Sequence, residues 1–177
     1  MNLQTITLAG GCFWCLEAVY ELVDGVSAVE SGYANGHVER PTYEQVCGGG
    51  TGHAEVVKVT FDADHIPLRE VLEIFFAIHD PTTVDRQGND VGPQYRSGIY
   101  WSDPLHEPVV RAVFDEANAA LRGRVVTELQ PLAAYWPAEA YHQHYFAQHP
   151  QQGYCAYVVA PKVEKFRRVF RQRVRAA

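Results

Sequence analysis

Cys12 stands in the run Leu8-Ala9-Gly10-Gly11-Cys12-Phe13-Trp14-Cys15, between a segment with strand character and one with helical spacing. A cysteine at the start of a helix lies among backbone N–H groups that have no intrahelical partner, at the positive end of the helix dipole. That setting favours thiolate over thiol, and thiolate is the nucleophilic form. Cys12 is therefore the leading candidate nucleophile, against the alternative of a cysteine packed as a small apolar side chain. The two glycines before it let the backbone come close to a ligand. Cys12 and Cys15 also form a C-x-x-C pair with two readings. One is a dithiol in which Cys15 attacks a mixed disulfide at Cys12; the other makes Cys15 a core residue in the stripe Cys15, Leu16, Val19, Leu22 and Val23. Two helical residues three apart have Cβ atoms roughly 5–6 Å from each other, beyond disulfide reach, which weighs against the bridge. Phe13 and Trp14 put a large aromatic surface beside the sulfur, suited to an apolar substrate group or to core packing.

The second candidate is a carboxylate. In Ala54–Phe61 a period of two sets Glu55, Val57, Val59 and Phe61 on the more apolar side and Ala54, Val56, Lys58 and Thr60 on the other. A carboxyl facing a core is desolvated, keeps its proton toward neutral pH and can donate it. The competing reading starts the strand at Val56 and leaves Glu55 in solvent. The preceding Gly48-Gly49-Gly50-Thr51-Gly52-His53 lacks the Gly-Lys-Ser/Thr ending of a phosphate loop and runs into a strand, so it reads as a substrate-side loop. There are 8 His, but Cys12 and Cys15 are the one close Cys pair, and no four-ligand set has metal spacing, so no metal is expected. A Cys-His hydrolase using Cys12 with His37, His53 or His142 is a further alternative.

The elements that must position these residues follow from pattern. Residues 4–9 read as a strand, Val29–Tyr33 as another ending at the Asn35-Gly36 turn signal, and Ala54–Phe61 as the clearest. Pro67 opens a helix with Leu68, Val71, Leu72, Phe75 and Ile78 on one face, stopped by Asp80-Pro81. Ser97–Trp101 and Arg124–Leu129 read as short strands, Asp103-Pro104 opens a helix to about Leu121, and Tyr141–His149 reads as helical up to Pro150. Strands and helices mix without regular alternation. The expected fold is α+β: one two-layer domain over 1–177 with a mainly antiparallel mixed sheet and a ferredoxin-like core.

With 177 residues, 47% hydrophobic, the chain can bury roughly 70% of its unfolded surface and needs no disulfide framework. The start of the sequence has no signal-peptide pattern and no apolar run approaches membrane length, so the expected location is the reducing cytoplasm. The net charge of −6 is uneven: seven of the 15 Lys+Arg lie from Lys162 onward. KVEKFRRVFRQRVR reads as a basic helix over 162–177, docked on an acidic body through Val163, Phe166, Val169, Phe170 and Val174. The body lacks the aromatic-basic interleaving of nucleic-acid grooves, so neither nucleic acid nor membrane is an expected partner.

Several separated blocks, in order, resemble the peptide methionine sulfoxide reductase A family over about Ile6 to Phe166. They are Gly11-Cys12-Phe13-Trp14, Ser31-Gly32-Tyr33-Ala34, Pro41-Thr42-Tyr43-Glu44, Thr51-Gly52-His53-Ala54-Glu55, Gln87-Gly88-Asn89-Asp90, Gln94-Tyr95-Arg96-Ser97-Gly98 and Tyr141-His142-Gln143. The resemblance implies that Cys12 attacks sulfoxide sulfur, releasing methionine and leaving a sulfenic acid. It implies that Glu55 gives a proton to the sulfoxide oxygen, with Tyr43 and Tyr95 as phenol donors to the same atom. Phe13 and Trp14 match the wall around the substrate methyl, and Asp90 a polar residue of the binding site. The family acts on the S epimer, free or in proteins, with no metal or organic cofactor. Cys155 in Gly153-Tyr154-Cys155 matches the resolving cysteine of one branch, with thioredoxin as reductant and a monomer as the acting species. Other branches continue into a glycine-rich tail with a further cysteine, whereas here a basic segment follows, which implies a two-cysteine cycle. Cys15 stands where many relatives have Gly and remains a possible second resolver; Cys47 reads as a bystander, and His144 is assigned no role.

Overall fold

The alternation in Leu3–Ala9 (β1) and Ala54–Asp62 (β3) drives these two strands into the middle of a six-stranded sheet. They run antiparallel, with Leu8 opposite Val57 and Ile6 opposite Val59. Val26–Ala34 (β2) lines the other side of β3, also antiparallel, with Tyr33 opposite Glu55. The structure is a computed structural model describing residues 1–176. A two-residue hairpin, Arg86–Gln87 (β4) and Asp90–Val91 (β5), stands apart from this sheet. Gly98–Trp101 (β6) pairs antiparallel with β1, Glu128–Pro131 (β7) pairs parallel with β6, and Tyr135–Pro137 (β8) closes the far edge on β2. The resulting order β7-β6-β1-β3-β2-β8 is a mixed sheet in a single domain with its helices.

Helices cover one face. Phe13–Tyr20 (α1), Leu68–Ile78 (α3), Glu107–Ala120 (α4) and Ala160–Val169 (α6) share one apolar cluster with Leu8, Val57, Val59 and Phe61. Phe13, Leu16, Val19, Leu72, Phe75 and Phe166 are all essentially fully buried there. Each such side chain contributes about 1.5–3 kcal/mol. A short helix, Tyr43–Cys47 (α2), begins at a Thr42–Gln45 capping box. The opposite sheet face carries a smaller cluster of Ala9, Ala34, Ala54, Val56 and Tyr100, against which Leu132 and Tyr135 pack. Glu55 points to the helical side of β3, and the strand begins at Ala54, so the solvent-facing alternative does not hold.

Some elements differ from the pattern reading. The strand expected over Arg124–Leu129 forms at Glu128–Pro131, where Glu128 N–H reaches Ser97 C=O and sets the parallel register with β6. The helix expected over Tyr141–His149 is a 3₁₀ turn, Ala140–His142, and a short helix, Tyr145–Gln148 (α5). His144, with φ +57, breaks them apart. The basic helix begins before Lys162, continuing from a π-helical turn over Cys155–Val159, and ends at Val169. Val169 is 53% exposed. The remaining residues turn back: Val174 bridges to Val23, Asp24 N–H donates to Arg173 C=O and Arg175 N–H to Leu22 C=O. A 3₁₀ turn over Arg171–Arg173 leads into that pairing, which takes the place of further α-helix; Ala177 lies outside the described residues. Among the described residues, no helix is long and apolar enough to cross a membrane.

Candidate active site

β1 delivers the chain to Gly10-Gly11, and α1 starts immediately after, with Cys12 as its N-cap in extended backbone (φ −62, ψ 130). Gly11 adopts φ +90, and a Cβ there would stand 2.7 Å from Cγ of Gln87. Only glycine meets both conditions without strain. Gln87 cannot yield easily, because its amide bonds both Asp80 N–H and Asp80 C=O at 2.9 Å.

The first turn of α1 is tied to β3 by a side chain. Phe13 N–H donates to Glu55 Oε1 at 3.1 Å, while Glu55 Oε2 is buried with no partner. Glu55 is 1% exposed. Burial raises its carboxyl to a pKa of about 8, against the lowering effect of the Phe13 amide. At neutral pH the group holds its proton and has one buried oxygen without a hydrogen-bond partner.

Cys12 does not have the charge state expected from its place at the helix start. Burial is the largest influence on its thiol and, with the nearby Glu55 and Cys15, pushes its pKa well above the usual value. The Trp14 amide and the Tyr154 hydroxyl pull the other way and are outweighed. Desolvation of a full negative charge exceeds what the end of one helix supplies, so the resting group is a thiol. Tyr43 and Tyr95 are likewise held protonated, first by burial and then, among other groups, by Glu55. Tyr43 stands at the start of α2, its amide donating to Glu139 Oε2 at 2.9 Å. Tyr95 ends a 3₁₀ turn, Pro93–Tyr95, which Arg96 clamps through Pro93 C=O and Gly52 C=O at 2.9 and 3.0 Å.

The aromatic walls come from distant parts of the sequence. Phe13 lies 5.7 Å from Tyr33 and 6.5 Å from Tyr43, ring centre to ring centre, and Trp14 stacks on Tyr145 at 3.8 Å with rings 3° from parallel. Phe13 is completely buried, so it is wall and core at once, whereas Trp14 is half-buried. His142 fits between Phe13 and Tyr43, at 5.1 and 4.3 Å, and its Nδ1 accepts the Trp14 indole N–H at 3.1 Å. That bond puts the ring proton on Nε2, which is buried without a partner. Gln143 holds this segment to β2, its side chain bonding both Ser31 N–H and Ser31 C=O at 2.9 Å. Asp90, on β5, accepts the Tyr154 hydroxyl at 2.5 Å.

Cys12, Glu55, Tyr43, Tyr95, Phe13 and Trp14 thus converge, with Asp90 joined through Tyr154. Cys155 is fully buried at the start of the π-helical turn that packs on α1. Cys47 is exposed, four residues after Tyr43 on α2, and each side chain acts on the other's ionisation, so it borders the site. His53 is a loop staple: its Nδ1 accepts from Gly36 N–H and its Nε2 donates to Val38 C=O. Both nitrogens are engaged, which removes it as a hydrolase base. The close group of possible metal donors among the described residues is Glu17, Glu21 and His144, which includes none of the cysteines. The sequence assigned no role to Glu139, Tyr145 or Tyr154, and it offered His142 only as a hydrolase base and within the Tyr141-His142-Gln143 block, not as a wall of this site.

Comparison with known proteins agrees with this arrangement. Residues 4–174 match the family described as peptide methionine sulfoxide reductase. A protein of Ralstonia nicotianae named peptide methionine sulfoxide reductase MsrA is 53% identical over an alignment that spans 98% of this chain and 94% of that one. The crystal structure of reduced Mxr1 from Saccharomyces cerevisiae superposes with a TM-score of 0.81 at 36% identity, over 87% of this chain and 90% of that one. A second Mxr1 structure, in complex with Trx2, gives a TM-score of 0.57 at 26% identity, over 81% of this chain and 85% of that one. A near-complete family match and a relative sharing half of its residues leave one assignment: this chain belongs to the peptide methionine sulfoxide reductase family.

Proposed function

We propose that the protein reduces the S epimer of methionine sulfoxide, free or within proteins, to methionine, with Cys12 as nucleophile and Glu55 as proton donor. The observation that carries this reading is a carboxyl with a pKa of about 8, buried against the Cys12 thiol, with one oxygen unpartnered. A sulfoxide oxygen gains negative charge as its bond to sulfur breaks, and it needs proton donors that are themselves neutral. Glu55, Tyr43 and Tyr95 are three such donors. As the Cys12 sulfur attacks the sulfoxide sulfur, Glu55 gives its proton to the oxygen and takes the thiol proton in exchange. The hydroxyl then passes from the methionine sulfur to the Cys12 sulfur as the bond between the two sulfurs breaks, which releases methionine and leaves a sulfenic acid on Cys12. Phe13 and Trp14 enclose the methyl group, Asp90 lines the polar side, and the His142 Nε2–H is a further donor toward bound substrate.

The oxidising equivalent then passes to Cys155 as an intramolecular disulfide, which a thioredoxin reduces. The yeast relative captured with Trx2 supports that choice of reductant. Protein repair under oxidative stress by a cytoplasmic monomer, with no organic cofactor or metal, completes the reading. The succession β1-α1-β2-β3-α3-β6, with β6-β1-β3-β2 adjacent and antiparallel, supports a ferredoxin-like core beneath it.

The test supplies each sulfoxide epimer with dithiothreitol and measures methionine. The S epimer is consumed, the R epimer is not, and Cys12→Ser abolishes turnover. Cys155→Ser retains turnover with dithiothreitol and loses it with thioredoxin. Full activity in Cys12→Ser rejects the proposal.

A further inference from the structure

We infer that a cavity beside the active site holds the polypeptide chain next to an oxidised methionine and favours an apolar side chain and a carboxylate there. The inference rests on the function proposed above and concerns which protein segments serve as its substrates. The cavity, about 460 Å³, lies between the Gln87–Asp90 hairpin and a wall made of Tyr154, Tyr157, Val158, Pro161 and Lys162. Its volume is that of an ordinary ligand pocket. The wall follows from helical spacing. Through the π-helical turn and into α6, Cys155, Val159, Val163 and Phe166 turn to the core and are buried. Residues three, four, seven and eight positions after Tyr154 share a different side of the same segment. Tyr157, on that side, is 85% exposed. Contiguous apolar surface left uncovered in this way marks a place where a partner binds.

The cavity is continuous with the chemistry. The Tyr154 hydroxyl donates to Asp90 Oδ2 at 2.5 Å, and the Tyr154 ring stands edge-on to Trp14 at 5.8 Å between ring centres. Tyr154 therefore belongs both to the cavity and to the surroundings of the aromatic wall. On the hairpin side, Gln87 packs against Gly11, the residue before Cys12. An extended chain advances about 3.3 Å per residue, so a peptide with its sulfoxide at Cys12 crosses that 5.8 Å with about two residues. Free methionine sulfoxide has no atoms to place there.

Charge selects the occupant. Lys162 is half-buried and takes part in no ion pair or side-chain hydrogen bond among the described residues. Asp90, the carboxylate of the facing wall, already accepts the Tyr154 hydroxyl. The charge without a partner in the cavity is thus positive. A peptide carboxylate pairs with it, while an apolar side chain beside that carboxylate covers Tyr157 and Val158.

The test reads the first turnover, methionine release without reductant, so that no reductase docking enters. Substrates are free methionine S-sulfoxide and capped heptapeptides of Gly and Ser with a central methionine S-sulfoxide, carrying Phe-Glu, Phe-Lys or Ala-Gln two and three residues before or after it. The wild type half-saturates with the better Phe-Glu peptide at about 10-fold lower concentration than with Ala-Gln, at the same limiting rate. Tyr157→Ala removes the advantage given by Phe. Lys162→Glu makes Phe-Lys a better substrate than Phe-Glu, reversing the wild-type order. Both variants reduce free methionine S-sulfoxide as the wild type does, which also shows that they fold. Equal half-saturation by all peptides with the wild type overturns the inference and needs no variant. So do variants that slow the free amino acid as much as the peptides. Variants that keep the wild-type peptide order and slow only thioredoxin-supported recycling overturn it too, and make the cavity a dock for the reductase. No methionine from any substrate rejects the reductase reading itself, a result separate from equal use of the peptides.

Discussion

Glu55 keeps its proton at the cost of stability in the folded state. Its pKa is raised from 4.5 to about 8 by burial, so between those values the unfolded chain has released the proton and the folded one has not. The contribution to stability is complete below about pH 4.5 and is lost as pH rises through about 8, on the order of 5 kcal/mol across the interval. Glu55→Gln is therefore expected to flatten the dependence of urea-unfolding stability on pH between 5 and 8 while lowering turnover by about 10²-fold or more. In the wild type, single-turnover methionine release holds steady up to neutral pH and falls as Glu55 ionises near pH 8; a rate that climbs through that range contradicts its role as donor. The carboxyl's orientation was legible in the sequence, because strand alternation is local. The protonation of Cys12 was not: a helix start is visible from glycine and spacing, but what overrides it is burial in the assembled fold, aided by the Glu55 carboxyl about 40 positions away.

At the scale of elements, the turn between β1 and α1 sets the position of the nucleophile. Gly11→Ala forces a Cβ into the pinned Gln87 side chain at φ +90. The expected cost is about 1–3 kcal/mol of stability, measured by denaturant unfolding. Turnover falls between about 10- and 100-fold as Cys12 shifts against Glu55. A Gly11→Ala protein with wild-type kinetics shows that this turn does not position the site. The start of α1 was readable because glycines, a cap position and apolar spacing are neighbours in the chain. The segment after β8 was not: its apolar residues suggested one helix, and a left-handed His144 divides it. That break lets His142 turn in toward Trp14 while Gln143 clasps Ser31, contacts that no local propensity encodes.

For the whole molecule, the acidic body and basic C-terminal segment invite an electrostatic account of docking, but the contacts divide differently. Phe166 is completely buried in the main cluster, whereas the Arg173–Glu70 pair is partly exposed to solvent. Phe166→Ala is expected to cost about 3–5 kcal/mol by chemical denaturation. Raising salt from 0.05 to 0.5 M is expected to change stability by less than about 1 kcal/mol, since exposed pairs contribute little and are screened. A larger salt effect than mutational effect reverses this assignment.

Period, punctuation and residue type were sufficient for a strand that buries a carboxyl, a cysteine beginning a helix and a mixture of strands and helices around one core. All three depend on interactions within a few positions. The parallel pairing of β7 with β6, the neutral state of the Cys12 thiol and the His142 wall depend on packing between segments up to about 130 residues apart. Desolvation and proximity are properties of the assembled volume, and a linear pattern carries neither.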